Sequence, residues 1–181
     1  KPSILDAMRL MLVPRWSIVG MRRQQNVAEH SYNTIVIYAW MCSVLGRKMS
    51  GNATVKLAFH DFAEINTGDI PSPFKQITEL PQVPDSPFKS MELDPVDEAL
   101  VKLADLFEAL VYLKGYIDDT REIGEKVTNG LISHMKAILA NKELGLGPLE
   151  AAIGNLLGTS PAPPAAAEAV PETAKDGEEQ E

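Results

Sequence analysis

Apolar side chains recur at three- and four-residue intervals along most of this chain, and no stretch shows the sustained alternation of period two that a half-buried strand requires. The fold is therefore expected to be all-α. Over residues 3–12, Ile4, Leu5, Met8 and Leu12 form one helical stripe, Ser3 and Asp6 have capping-box spacing, and Pro14 ends the element. Residues 15–25 read as an extended linker carrying Trp16 and Ile18 near the basic pair Arg22 and Arg23. A second helix starts at about Asn26, with Glu29 as its capping-box partner, and runs through Ile35, Tyr38 and Met41 towards Leu45, where Gly46 closes it. The spacing predicts a third helix over 53–65, with Val55, Leu57, Ala58, Phe62 and Ile65 towards a core and His60, Asp61 and Glu64 into a cleft. Thr67, Gly68 and Asp69 stop it.

Prolines 71, 73, 81, 84 and 87 exclude a regular helix or central strand over 70–91, so this stretch is expected to be a long loop of the kind that serves as a functional lid. Asp94 followed by Pro95 has the form of an N-cap and a first helical position. The helix it opens carries Leu100, Leu103, Leu106, Phe107, Leu110 and Leu113, with Gly115 near its end. Another helix is predicted over 119–141, and a short one after Pro148. From Pro161 the chain is rich in Pro and Ala and then in Glu, with no large hydrophobes to repay the entropy of ordering. The expected organisation is one domain over residues 1–157 and a disordered acidic tail over 158–181.

Charge and composition narrow the function. Residues 160–181 hold six acids against Lys175 alone, so five of the eight net negative charges lie there and three belong to the rest. A mildly acidic body has no basic face for a nucleic-acid polymer, and any anionic ligand must be met by a few local cations. No apolar run approaches the roughly 20 residues that span a bilayer, and no signal-peptide core is visible, so a membrane is not an expected partner. The single cysteine, Cys42, excludes an internal disulfide and fits a reducing, cytoplasmic location.

The chain has three histidines, and two of them fall beside acids in helical segments. Neighbouring helix positions are about 100° apart, so His60 and Asp61 can lean towards one ion with Glu64 a turn further on. His30 would come from the preceding helix. Asp105, set among Leu103, Ala104, Leu106 and Phe107, is costly to bury unless paired or bound to a cation. Two imidazoles and two carboxylates suit a divalent transition metal and leave room for water and phosphate oxygens, which is the requirement of metal-assisted hydrolysis. Each residue alone has an ordinary explanation, as a core or surface histidine or the polar face of an amphipathic helix; the joint pattern favours a site. His134 has no such neighbours and reads as structural.

The succession Arg15-Trp16, Ala28-Glu29-His30-Ser31, His60-Asp61-Phe62-Ala63-Glu64, Thr67-Gly68-Asp69-Ile70-Pro71-Ser72-Pro73-Phe74-Lys75 and Lys102-Leu103-Ala104-Asp105 resembles the HD-domain phosphohydrolase superfamily, in its 5'-deoxynucleotidase branch. The resemblance covers roughly residues 1 to 140. It implies a helical bundle, often a homo-oligomer, that hydrolyses deoxynucleotides with a divalent metal such as Co, Mn, Zn, Fe or Ni. By the same resemblance His30, His60, Asp61 and Asp105 are the metal ligands and Glu64 is the acid/base. Arg15 and Lys75 would hold phosphate, Trp16 would wall the nucleoside, Asp69 would accept from the sugar hydroxyl, and Pro73 and Ile18 would shape the base pocket. The short, proline-rich interval between His60-Asp61 and Asp105 is similar to the phage enzymes that strip triphosphate from dATP. Three functions are carried forward: a dATP triphosphohydrolase, with Arg22, Arg23 or Lys89 as candidate extra phosphate contacts; a 5'-deoxynucleotidase of monophosphates; and a non-catalytic nucleotide-sensing module.

Overall fold

The computed structural model describes residues 4–69, 91–118 and 122–158, and within them the protein is helical, with only isolated bridges, Pro14 to Asn26 and Met21 to Ile117, in place of strands. The elements are α1 (Ile4–Met8) running into a 3-10 turn (Arg9–Leu12), then α2 (Val27–Val44), α3 (Gly51–Phe59), α4 (Glu64–Thr67), α5 (Pro95–Tyr116) and α6 (Glu122–Leu139), a 3-10 turn (Lys142–Leu144), and α7 (Gly147–Leu157). The all-α expectation holds. The expected lid with Pro73 and Lys75, Ser3 of the first cap, and the C-terminal tail lie outside the described residues.

The helix starts follow from their caps. The Asn26 side chain accepts from Glu29 N–H, as expected, but the Glu29 carboxylate turns to Arg23 at 2.6 Å instead of closing a capping box. Asp94 accepts from Val96 and Asp97 N–H, and Pro95 occupies the first turn of α5 where no amide donor is missed. α5 then buries Leu100, Leu103, Ala104, Phe107, Leu110 and Leu113 against α2 and α6. Tyr38, Met41 and Cys42 of α2, Leu57 of α3, Met135 of α6 and Leu149 of α7 complete that core. Among the described residues no helix is long and apolar enough to cross a membrane.

Two expectations need correction. The stripe on the first helix does not face the core: Leu5, Met8 and Leu12 are more than half exposed, while Leu10 and Val13 point inward with Val27 and Phe62 into a second, smaller cluster. Leu5, Met8 and Leu12 stay together on the outer face, and the inward contact is made instead by Leu10 of the 3-10 turn and Val13 just after it. The helix predicted over 53–65 is also broken. It ends at Phe59, and residues 60–63 form a tight corner before α4, with i to i+3 bonds such as Phe62 N–H to Phe59 carbonyl (3.1 Å) and Glu64 N–H to Asp61 carbonyl (3.0 Å). The Leu57 carbonyl, which a continuing helix would give to Asp61 N–H, instead accepts from His60 Nδ1 at 2.7 Å. Phe59, Phe62 and Ile65 pack into the second cluster and fasten this corner to the N-terminal segment.

Candidate active site

His30 projects from the first turn of α2 and is fully buried; His60 and Asp61 stand on the α3–α4 corner, and Asp105 comes from the middle of α5. Their donor atoms converge. His30 Nε2 lies 3.2 Å from His60 Nε2, 3.3 Å from an Asp105 oxygen and 3.7 Å from an Asp61 oxygen. His60 Nε2 lies 3.3 Å from the same Asp61 oxygen and 4.0 Å from Asp105. His30, His60 and Asp105 together have the spacing of a metal-binding group. Asp105 is not sealed in the core as the leucine-rich context suggested. Its side chain is a quarter exposed, and Lys102 Nζ reaches its outer oxygen at 2.8 Å.

The outer nitrogens of the two imidazoles decide what the inner ones can be. His60 Nδ1 faces a carbonyl, which only accepts, so it must carry the proton. His30 Nδ1 faces a Glu108 carboxylate oxygen at 2.6 Å and donates to it. In the neutral tautomers both Nε2 atoms therefore present lone pairs to one another and to two carboxylate oxygens. Four acceptors at this separation repel unless a cation sits among them, and N/O donors of this kind fit a divalent transition metal. Burial disfavours a charged His30 ring, but the Asp105 and Glu108 carboxylates more than offset this, so its pKa lies above the ordinary histidine value. Asp105 is pulled below the usual carboxylate range, against its burial, by the His30 hydrogen bond and the Lys102 charge.

Glu64 is buried and opens α4, one turn past Asp61. On the facing side the 14–26 segment carries Arg15 and Trp16. The Arg15 guanidinium is 13% exposed, lies 3.9 Å from Asp69 and 3.7 Å from Glu108, and its buried Nε and one terminal nitrogen make no hydrogen bond. Trp16 has φ of 65°, the left-handed region that a bulky residue enters at a cost of about 1–3 kcal/mol. It is held there on several sides. Its N–H donates to Asp69 (3.3 Å), its indole N–H donates to Gln25 (3.0 Å), and its ring is parallel to Tyr112 within 5° at 6.4 Å. Ile18 sits half-buried in the turn that follows, where Val19 N–H bonds the Trp16 carbonyl at 3.1 Å. Of the expected substrate contacts, the structure thus draws Arg15, Trp16 and Asp69 together; Pro73 and Lys75 fall outside the described residues.

Glu108, Gln25, Asn33 and Tyr112 were not anticipated. Glu108 is 3% exposed and accepts from His30, Gln25 Nε2 (2.6 Å) and Asn33 Nδ2 (3.0 Å). Burial would raise its pKa, but the His30 and Asn33 hydrogen bonds and the Arg15 charge hold it below the ordinary value. A signal existed: Glu108 follows Asp105 by one turn in the same apolar helix, so the argument applied to Asp105 extends to it.

A helical bundle that converges two imidazoles and two carboxylates beside a buried arginine defines an HD-type metal phosphohydrolase. The pattern of the 5'-deoxynucleotidase YfbR-like family matches residues 4–103, and the chain belongs to that family, which makes it a metal-dependent phosphoric ester hydrolase of deoxynucleotides. The 5'-deoxynucleotidase YfbR of Escherichia coli K12 is 28% identical over 145 residues, covering 77% of this chain and 71% of the relative. The HD phosphohydrolase DatZ of cyanophage S-2L, solved with dA and one catalytic Zn2+, shares the fold with a TM-score of 0.71 at 21% identity, over 88% of this chain and 99% of that one. An HD-domain phosphohydrolase of Listeria innocua gives a TM-score of 0.51 at 16% identity, over 86% and 96%.

Proposed function

We propose that this protein hydrolyses dATP to deoxyadenosine and triphosphate. The observation that carries a phosphate-cleaving function is the buried Arg15 guanidinium, whose Nε and one terminal nitrogen make no hydrogen bond although Asp69 and Glu108, the carboxylate that also holds His30, stand 3.9 and 3.7 Å away. Buried donors left without a hydrogen bond are costly even on an ion-paired cation, and a guanidinium fork gains by giving them to a phosphate oxygen pair. A divalent ion held by those four side chains would polarise a phosphoryl oxygen and acidify a water molecule. Glu64 receives the proton as the water oxygen attacks the α-phosphorus, and delivers it to the 5'-oxygen as the bond between phosphorus and that oxygen breaks. Trp16 offers a flat face to the base, and Asp69 has acceptor capacity beyond the Trp16 amide for the sugar hydroxyl. The adenine preference draws support from the fold shared with a phage enzyme that binds dA.

A specific observation favours the second reading, a 5'-deoxynucleotidase of monophosphates. Arg22 is committed to the C-terminal end of α5, donating to the Gly115 carbonyl at 3.1 Å, and Arg23 is paired with Glu29 and laid over Tyr112 and Tyr116. Neither is positioned as a spare contact for a longer phosphate chain. Phosphorus NMR of the products from dATP and dAMP, run with Mn2+, Co2+ and Zn2+, separates the cases. Intact triphosphate from dATP is the expected result; phosphate from dAMP with dATP untouched would replace it by the second reading. Binding of both without turnover would leave the sensing module.

A further inference from the structure

We infer that Glu108 is a positioning residue that ties the metal-facing tautomer of His30 to the orientation of the Trp16 wall. This rests on the proposed role of His30 as a metal ligand. The two ends of the site are joined by a chain of hydrogen bonds through side chains shut off from water, since Gln25 and His30 are fully buried and Glu108 nearly so.

The direction of that chain is set by its ends. An indole N–H can only donate, so Gln25 must turn its oxygen to Trp16 and its amide nitrogen to Glu108. Glu108 must then accept at Oε1, where Asn33 also donates, and its Oε2 takes the His30 Nδ1 proton. Every bond therefore points towards Glu108. An ionised carboxylate, an acceptor at both oxygens, is the side chain that can end all of them. With Nδ1 protonated, His30 presents the lone pair of Nε2 to His60 and Asp105. Ligand imidazoles are commonly fixed by such an outer carboxylate; here the same carboxylate also fixes the substrate wall and stands 3.7 Å from Arg15.

An isosteric amide at this position makes the coupling visible. If the NH2 of Glu108→Gln faces His30, it meets Nδ1–H, and the ring must move its proton to Nε2, removing the lone pair from the cluster. If instead it faces Gln25 and Asn33, Gln25 must flip, setting its own NH2 against the Trp16 indole N–H. One end fails in each arrangement.

The test uses the full chain as wild type, Glu108→Gln, Glu108→Asp and Gln25→Leu, with Zn2+ affinity read by calorimetry and KM and kcat read on the deoxynucleotide that wild type turns over. Glu108→Gln is expected to lose about 10- to 100-fold in Zn2+ affinity, or, if it keeps the metal, to raise KM by about tenfold through the misplaced wall. Gln25→Leu should keep Zn2+ affinity and raise KM. Glu108→Asp, which retains acceptor chemistry, should recover part of the loss. Glu108→Gln with wild-type Zn2+ affinity and wild-type KM overturns the inference. So does Glu108→Asp performing no better than Glu108→Gln when circular dichroism shows both helical; if Glu108→Gln does not fold, Gln25→Leu carries the test, and a wild-type KM in that variant overturns the inference. A wild-type chain that binds no Zn2+ removes the metal reading itself, and the inference with it.

Discussion

A neutral histidine whose outer nitrogen already donates has only a lone pair to offer inward, and two such residues facing each other at 3.2 Å are the most compact statement of this site. Glu64 is the proposed proton carrier and not one of the proposed ligands, so the two roles separate by mutation. Glu64→Gln should lower kcat by about 10²- to 10⁴-fold while Zn2+ affinity by calorimetry stays at the wild-type value; equal losses in both would make Glu64 a ligand. The four donors were legible in the sequence because histidine is scarce here and each lies beside an acid or within an apolar run that makes an acid conspicuous. Gln25 was not legible, since an amide gains its meaning from the direction of its neighbours' hydrogen bonds, and that is a property of the folded site. Trp16 was legible as a residue type suited to a wall, whereas its left-handed backbone was not, because nothing in a tryptophan anticipates it.

The starts of α2, α3 and α5 were readable to within a residue or two, and what was missed was the end of α3. Asn26 and Asp94 cap α2 and α5 as their spacing requires, and Gly68, at φ of 72°, stops α4. The α3–α4 break escaped notice because its cause is a ligand candidate folding back on its own helix: His60 takes the Leu57 carbonyl, and hydrophobic periodicity carries no trace of that contact. The caps also give a stability prediction. Asp94→Ala removes two accepted N–H bonds and the 2.9 Å pair with Arg47. It should cost about 1 kcal/mol and lower Tm by roughly 2–4 °C in a calorimetric scan, with kcat unchanged, because α5 is anchored beyond its first turn by buried leucines.

At the scale of the molecule, the proposed ligands bind α2, the α3–α4 corner and α5 together, across the seam between the main core and the smaller cluster around Leu10 and Phe62. A bound ion should therefore act as a cross-brace as well as a reagent. Stripping metal with a chelator is expected to lower Tm, and restoring Zn2+ at a hundred times its Kd should return about 2.7 kcal/mol, or roughly 5–10 °C; a Tm indifferent to chelation would argue against the brace. The all-helical class and the order of helices were legible from periodicity alone. The outward turn of Leu5, Met8 and Leu12 was not, because periodicity shows that residues share a face without showing which face docks. The backbone of Trp16 has a lasting consequence for how this protein can change. A residue held at positive φ is replaced most comfortably by glycine or asparagine, and neither supplies a broad ring. Mutational change in the proposed base wall is thereby steered away from position 16 and onto the side chains around it.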